Sequence, residues 1–207
     1  MEKYIVSLTA SDLSARHVSS HREYYDIVKR NCVNCSIDLS DIISKANEYL
    51  VSNTHFNYSK FQNYPWKIIC TLNNVIENGY PFTVDDIIYL PIEELNNRNK
   101  DSFLKLLIHE RIHIFQRFYP DDVNMYILNN GYILYRKIDR TNTDQLLRSN
   151  PDLNEYIYLL NGKPSGNYYT SYYPLNIEDS ICQLQYEHPY EHMAYVVSSD
   201  IVTSKKN

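Results

Sequence analysis

Residues 106–120 read LLIHERIHIFQRFYP, and this stretch is the most informative part of the sequence for both fold and function. It contains the H-E-x-x-H pattern as HERIH over residues 109–113. Residues four apart in a helix lie on one face, so two imidazoles can converge on one metal ion. The stretch therefore predicts a helix in which His109 and His113 bind zinc and Glu110 stands beside the ion as a general base.

The apolar surroundings of the motif favour a metal site over a chance pattern. The flanking positions are Leu106, Leu107, Ile108, Ile112, Ile114 and Phe115. Two histidines and a glutamate buried among such residues cost several kcal/mol unless they have partners, and a metal ion supplies one. The alternative is a surface stripe that the histidines share with Lys105 and Arg117.

Periodicity and turn residues predict an α+β protein. We expect the HERIH helix to span 101–118, capped by Asn99 or Asp101 and ended by Pro120. The other predicted elements are a helix over 39–52, a strand or helix over 64–76, a turn over 77–83, a short buried strand over 85–91, a helix over 121–131 that stops at Gly131, a short helix and turn over 143–152, a hairpin or longer loop over 155–173 around Asn161-Gly162, and a helix over 189–201.

Charge and hydropathy exclude several classes of partner. The formal net charge is −5 and no cluster of Lys or Arg stands out, so we expect no nucleic-acid partner. The N-terminus does not resemble a signal peptide, and no apolar run is long enough to predict a transmembrane helix. We therefore expect no membrane association and an intracellular location, in the cytoplasm or within a virus particle. No feature of the sequence predicts an oligomeric state.

The four cysteines include a CxxC pair, Cys32 and Cys35. A closed zinc site needs four ligands, and no second CxxC or CxxH pair supplies the other two. We therefore expect all four residues, with Cys70 and Cys182, to be reduced thiols that share no function, as is usual inside cells.

A catalytic zinc ion usually has three protein ligands, so the motif needs a third residue from elsewhere. Neither Gly nor a third His lies between His113 and Pro120, which excludes the short metzincin pattern. The candidates are the remaining histidines and the downstream acids: His17, His21, His55, His188, His192, Asp121, Asp122, Glu178, Asp179, Glu187 and Glu191. Five of these are interpreted as surface or loop residues or as helix caps: His17, His21, His55, Asp121 and Asp122.

HERIH followed by HPYEHMAY over residues 188–195 resembles the gluzincin-type zincins. In that family a second helix carries a glutamate ligand in a motif similar to N-P-x-E-x-x-A-Y. The matching residues here are His188, Pro189, Glu191, Ala194 and Tyr195, with His in place of the usual Asn. The resemblance implies that Glu191 is the third ligand of a Zn2+ ion, with Glu187 as the runner-up or as a residue that orients a ligand.

A looser similarity covers about residues 75–200 and resembles HExxH peptidases encoded by large DNA viruses of algae and amoebae. It includes IENGYPFTVDDIIYLP and SNPDLNEYIYL, although only the two zinc motifs are specific. The implied fold is a zincin-like domain over 71–201, with the active-site helix packed on a small sheet and a second helix bearing a ligand. Residues 1–70 are expected to be an N-terminal extension packed on this core, and 202–207 a flexible tail.

The resemblance implies a zinc metallopeptidase that acts on a protein or peptide. Glu110 would transfer the proton of a zinc-activated water, and the substrate would pair with the strand over 85–91 as a sheet edge. Tyr195, one helical turn beyond Glu191, is our candidate for the residue that stabilises the oxyanion; the alternative is that it packs against the site and supports it. The other candidates for that role are His192, Tyr173, Tyr190 and Arg117.

Two other functions share the same residues. One is a structural or virion interaction protein that zinc stabilises without catalysis, in which His188, His192 or Glu187 would close the site as a fourth ligand. The other is a zinc hydrolase acting on a non-peptide amide.

Overall fold

The computed structural model describes residues 1–54, 56–72, 75–97, 99–145, 147–166 and 186–199. Its helices are α1 (Glu2–Ser7), α2 (Ala10–Ala15), α3 (His21–Asn31), α4 (Ser40–Ser52), α5 (Ile92–Asn97), α6 (Lys100–Phe118), α7 (Pro120–Asn129) and α8 (Pro189–Ser199). Its strands are β1 (Cys32–Asn34), β2 (Lys67–Thr71), β3 (Phe82–Val84), β4 (Ile87–Pro91), β5 (Tyr132–Lys137), β6 (Tyr156–Leu160), β7 (Lys163–Gly166) and β8 (Tyr186–Glu187). The mixed content agrees with the α+β prediction.

The first sheet separates two layers of helices. Its order is β1-β2-β4-β3, with β4 parallel to β2 and antiparallel to β3. Because side chains alternate along a strand, Ile88 and Leu90 of β4 join the core around α6, whereas Ile87 and Tyr89 pack with α1–α3 on the opposite face. This two-sided burial explains why β4 is apolar throughout.

Helix α6 runs through the centre of the larger core. The side chain of Asn99 accepts a hydrogen bond from the backbone N–H of Ser102, which confirms the predicted N-cap. The helix contacts α4, α7, α8, β3 and β4. Most of its residues between Leu107 and Gln116 are buried on every side, so this helix belongs to the interior and not to a surface stripe.

The N-terminal residues form part of the same fold. Helices α1–α3 cover one face of the first sheet, and β1 and β2 supply two of its strands. The boundary expected after residue 70 falls inside β2. The expected tail over 202–207 lies outside the described residues.

The second sheet has the order β5-β6-β7-β8 and leads directly into α8. Asn161 and Gly162 join β6 to β7 with positive φ angles of 53° and 75°. Both values suit the two-residue hairpin turn predicted from Asn-Gly, so the hairpin is confirmed as far as Gly166.

Two predictions about local structure are wrong. The strand predicted over 85–91 exists as β4, but it lies between β2 and β3 and is not a sheet edge; the edges of this sheet are β1 and β3. Among the described residues of 143–152 there are turns and extended backbone but no helix. Asp144 there binds Arg136 and the backbone N–H of Asp139, and these side-chain contacts hold the turn.

The prediction of four reduced cysteines is also wrong. Cys35 and Cys70 form a disulfide across a sequence separation of 35 residues. The antiparallel pairing of β1 with β2 places Val33 opposite Cys70, and this brings Cys35 within bonding range. Cys32 is a free, half-buried thiol, and Cys182 lies outside the described residues.

None of the helices in the described part of the chain combines the length and the apolar character needed to cross a bilayer.

Candidate metal centre

The structure brings together His109 and His113 of α6 and Glu191 of α8. The Nε2 atoms of the two histidines lie 3.1 Å apart. The Oε2 atom of Glu191 lies 3.2 Å from Nε2 of His109 and 3.6 Å from Nε2 of His113. Helices α6 and α8 pack along each other, and this packing brings the glutamate to the histidines.

The spacing of these three atoms fits a metal ion. Ligand atoms bonded to zinc at about 2.0–2.1 Å in a tetrahedron lie roughly 3.3 Å apart. The three measured separations of 3.1, 3.2 and 3.6 Å bracket this value. Two imidazole nitrogens and a carboxylate oxygen therefore form a triangle that could hold a divalent metal ion and leave a fourth position open.

Gln116 orients one ligand and joins the two helices. Nδ1 of His113 donates to Oε1 of Gln116 at 3.0 Å, and this leaves Nε2 of His113 as the nitrogen that faces His109 and Glu191. Nε2 of Gln116 in turn donates to the backbone carbonyl of Tyr190 at 2.9 Å. The same amide therefore fixes both the His113 ring and the contact between α6 and α8.

Glu110 is 3% exposed and lines the cleft beside the triangle. Its Oε2 atom has no hydrogen-bond partner among the described residues. Burial raises the pKa of Glu110 well above its usual value, and the nearby carboxylate of Asp152 raises it further. A buried carboxyl group with an unpartnered oxygen and a perturbed pKa, next to a possible metal site, is a candidate for proton transfer.

The pKa values of the three ligand residues reflect their proximity. Burial lowers the pKa of His109. Burial also disfavours the charged form of His113, but the carboxylates of Glu191 and Asp152 outweigh it and raise the pKa of His113 to about 9. Burial would raise the pKa of Glu191, yet the two histidines hold it far below its usual range. Without an ion, His113 is therefore an imidazolium paired with the Glu191 carboxylate, and a bound metal ion would take the place of its proton.

Tyr195 lies over the first ligand. Its ring centroid is 4.5 Å from that of His109, in an edge-to-face arrangement, and its side chain is half exposed within the cleft. Tyr195 therefore borders the part of the cleft next to the triangle.

The other candidates for the oxyanion role are placed differently. Nδ1 of His192 lies 3.1 Å from the Tyr126 hydroxyl, away from the triangle. Tyr190 is buried against His188. Arg117 binds the backbone around Thr83. Tyr173 lies outside the described residues.

The remaining predicted ligands are not part of the triangle. His188 is fully buried, its Nδ1 accepts the backbone N–H of Tyr190, and burial lowers its pKa to about 3. Glu187 lines the cleft, where burial and then the charge of Glu191 raise its pKa. His21 binds the backbone carbonyl of Leu8.

Of the other predicted ligands, His17 is exposed on the cleft wall. Asp121 and Asp122 lie in the first turn of α7. His55, Glu178 and Asp179 are outside the described residues.

A cleft of about 1220 Å³ runs past the triangle. Its walls come from α6, α8, the residues around β3, Arg148 with the 149–152 loop, and the N-terminal residues Ser14, Ala15 and His17. Sequence reasoning missed the N-terminal wall and Asp152, because neither carries a local motif.

Comparison of the chain with protein-family models, with curated proteins and with solved structures found no match, so its resemblance to the gluzincins rests on the residues named above.

Proposed function

We propose that this chain is a zinc-dependent metallopeptidase in which His109, His113 and Glu191 hold the ion. The observation that supports this most strongly is the triangle of ligand atoms at zinc-like separations, with Glu110 buried beside it. Zinc bound there would polarise a scissile carbonyl and lower the pKa of a water molecule.

The residues around the triangle have distinct roles in this proposal. Glu110, with one unpartnered carboxylate oxygen, accepts a proton from the attacking water and delivers it to the leaving amine. Burial raises its pKa, which favours the protonated form that delivers the proton to the leaving amine. Tyr195, over His109, donates a hydrogen bond to the developing oxyanion. Gln116 keeps His113 in the tautomer that binds zinc.

The alternative is a structural zinc site that stabilises the fold without catalysis, and such a site requires a fourth protein ligand. Among the described residues the group that could hold a metal ion has three members, and neither His188, His192 nor Glu187 belongs to it. A structural zinc site would also leave the buried, unpartnered oxygen of Glu110 without a role. These points favour catalysis. Activity on blocked peptides, compared with activity on simple non-peptide amides, separates the peptidase from a zinc amidohydrolase.

The first test is the metal content of the purified chain, measured by elemental mass spectrometry. We expect one zinc per chain in the wild type and a large loss in His113→Ala and in Glu191→Ala. His192→Ala is the matched control, because its imidazole lies on the same helix as Glu191 but faces Tyr126. A wild-type chain that takes up no zinc when zinc is offered would overturn the proposal.

The second test is hydrolysis of a mixed library of quenched peptides by the zinc-loaded chain. We expect activity that is lost on chelation and restored by zinc. A zinc-loaded chain that cleaves no member of the library would favour the structural alternative.

A further inference from the structure

We infer that the β3 edge beside the metal centre is closed to substrate, and that Asp152 and Arg117 are specificity-determining residues because they close it. The inference rests on the proposed function. A sheet edge next to a peptidase site would ordinarily bind an extended peptide through backbone hydrogen bonds. Here the 149–152 loop already occupies those positions.

Thr83 is the central residue of β3, and its outward groups are taken by Asp152. The backbone N–H of Thr83 donates to Oδ1 of Asp152 at 2.8 Å, and the Thr83 hydroxyl donates to the same atom at 2.5 Å. Thr83 is fully buried. The preceding outward position is Pro81, which has no N–H to offer. Neither Pro81 nor Thr83 therefore presents a free backbone donor.

Arg117 occupies the acceptors of the same edge. Its Nη2 donates to the carbonyl of Thr83 at 3.0 Å and to that of Pro151 at 2.6 Å. Its Nη1 donates to the carbonyl of Asp85 at 3.3 Å. Nη2 also lies 3.6 Å from Oδ1 of Asp152. The Arg117 guanidinium thus links β3 to the 149–152 loop, and it also forms an ion pair with the Asp152 carboxylate.

The 149–152 loop is anchored on its other side by Asp12 of α2 and by Arg16, the C-cap residue of that helix. The backbone N–H and the hydroxyl of Ser149 donate to Asp12 at 2.6 and 2.8 Å. Arg16 donates to the carbonyl of Ser149 at 2.9 Å. Asp12 and Arg16 are buried, so the loop is anchored in the interior and is not a loosely attached lid.

It follows that substrate is selected by side-chain and chain-end contacts in the cleft rather than by strand addition. Each main-chain hydrogen bond that a peptide could add along an open edge would raise its affinity by about two- to tenfold. With the edge closed, lengthening a peptide beyond the residues next to the metal should not raise its affinity in this way.

The test uses acetyl-(Ala)n-hydroxamates with n from one to four, bound to the zinc-loaded chain. The hydroxamate binds the metal at one end of the ligand. The added alanines then report how much affinity is gained from backbone hydrogen bonds to β3. We expect affinities within about threefold across the series for the wild type, and a rise of at least tenfold from the shortest to the longest for Asp152→Ala. Asp152→Asn is the matched control, because its amide oxygen can still accept the Thr83 N–H. A wild-type affinity that rises tenfold with length would overturn the inference.

Hydrogen exchange of the Thr83 amide, followed by NMR, tests closure without any ligand. We expect a protected amide in the wild type and in Asp152→Asn, and exchange at least tenfold faster in Asp152→Ala. Arg117→Gln serves as a second opening variant if Asp152→Ala fails to fold. A Thr83 amide that exchanges like an unstructured one in the wild type would also overturn the inference. If no hydroxamate binds, the proposed function fails, while Thr83 exchange still decides whether the edge is closed.

Discussion

At the scale of single residues, the five consecutive positions 109–113 of α6 lie in four different environments. His109 and His113 face Glu191, because they are one turn apart. Glu110 is offset around the helix and lines the cleft. Arg111 binds the Tyr58 hydroxyl and the carbonyls of Tyr64 and Pro65. Its guanidinium also stacks on Phe61 and Trp66. Ile112 belongs to the core.

Glu110→Gln tests the general base. The amide keeps the shape of the carboxylate but cannot accept the proton, so we expect kcat to fall by roughly 10²–10⁴ with zinc content unchanged. Rates on the best library peptide and elemental analysis of the same samples measure both quantities. Wild-type rates in this variant would show that the base lies elsewhere.

Tyr195→Phe tests the oxyanion donor. The ring stays over His109, but its hydroxyl is removed, so we expect kcat to fall by about 10²–10³ with little change in KM. Tyr80→Phe is the control, because Tyr80 also lines the cleft but does not stack on a ligand. Equal effects of the two variants would reduce Tyr195 to a residue of the cleft wall.

Gln116→Ala tests the support of His113. Without the amide, the imidazole loses its hydrogen-bond acceptor and its fixed tautomer, and we expect zinc affinity to fall by about 10–100-fold. Competition with a chromogenic chelator measures the affinity. Gln145→Ala, on the exposed 140–145 turn, should leave it unchanged. An unchanged affinity in Gln116→Ala would leave Gln116 only its role of joining α6 to α8.

At the scale of elements, the candidate metal centre is buried because other elements pack around α6. Helix α6 is buried on most sides because α4, α7, α8 and the first sheet all pack on it. Polar side chains that burial would otherwise leave unpaired, such as Arg111 and Gln116, thereby find partners on neighbouring segments. The register between α6 and α8 is held by the Gln116 contact to Tyr190, and this register sets the distance from Glu191 to the histidines.

Asn99→Ala tests how α6 begins. Loss of the side-chain acceptor leaves the Ser102 N–H without its cap, and we expect the free energy of unfolding to fall by about 0.5–2 kcal/mol. Urea unfolding followed by circular dichroism measures it. Asn99→Asp retains an acceptor and should stay close to the wild type. Equal losses in both variants would mean that the cap contributes through something other than this hydrogen bond.

At the scale of the whole molecule, the N-terminal residues and the cleft are coupled through a buried polar cluster. Arg16 donates to both carboxylate oxygens of Glu77, each at 2.8 Å, while Asp12 and Ser149 complete the link to the 149–152 loop. Tyr4 and Tyr24 also donate to Glu77. Residues far apart in sequence thus share one set of hydrogen bonds behind the cleft.

Arg16→Met tests this coupling. It leaves Glu77 buried without its main counter-charge, and we expect a loss of about 3–5 kcal/mol in the free energy of unfolding. Arg22→Met is the matched control: it removes an exposed pair with Asp26 and should cost no more than about 1 kcal/mol. Similar unfolding midpoints for the two variants in urea would contradict a structural role for the cluster.

The sequence by itself determined the features that depend on near neighbours. The spacing of His109 and His113, the Asn99 cap, the Asn161-Gly162 hairpin and the apolar character of β4 are local patterns, because helix and strand periodicity act over a few residues. The candidacy of Glu191 came from the resemblance of its motif.

The contacts between distant segments could be read only from the folded chain. It brought Glu191 to the histidines, paired Cys35 with Cys70, placed β4 inside the sheet and closed the β3 edge with Asp152. None of these contacts has a sequence period. Each depends on packing between elements that are remote along the chain, and that packing is set by the burial of whole faces rather than by any local pattern.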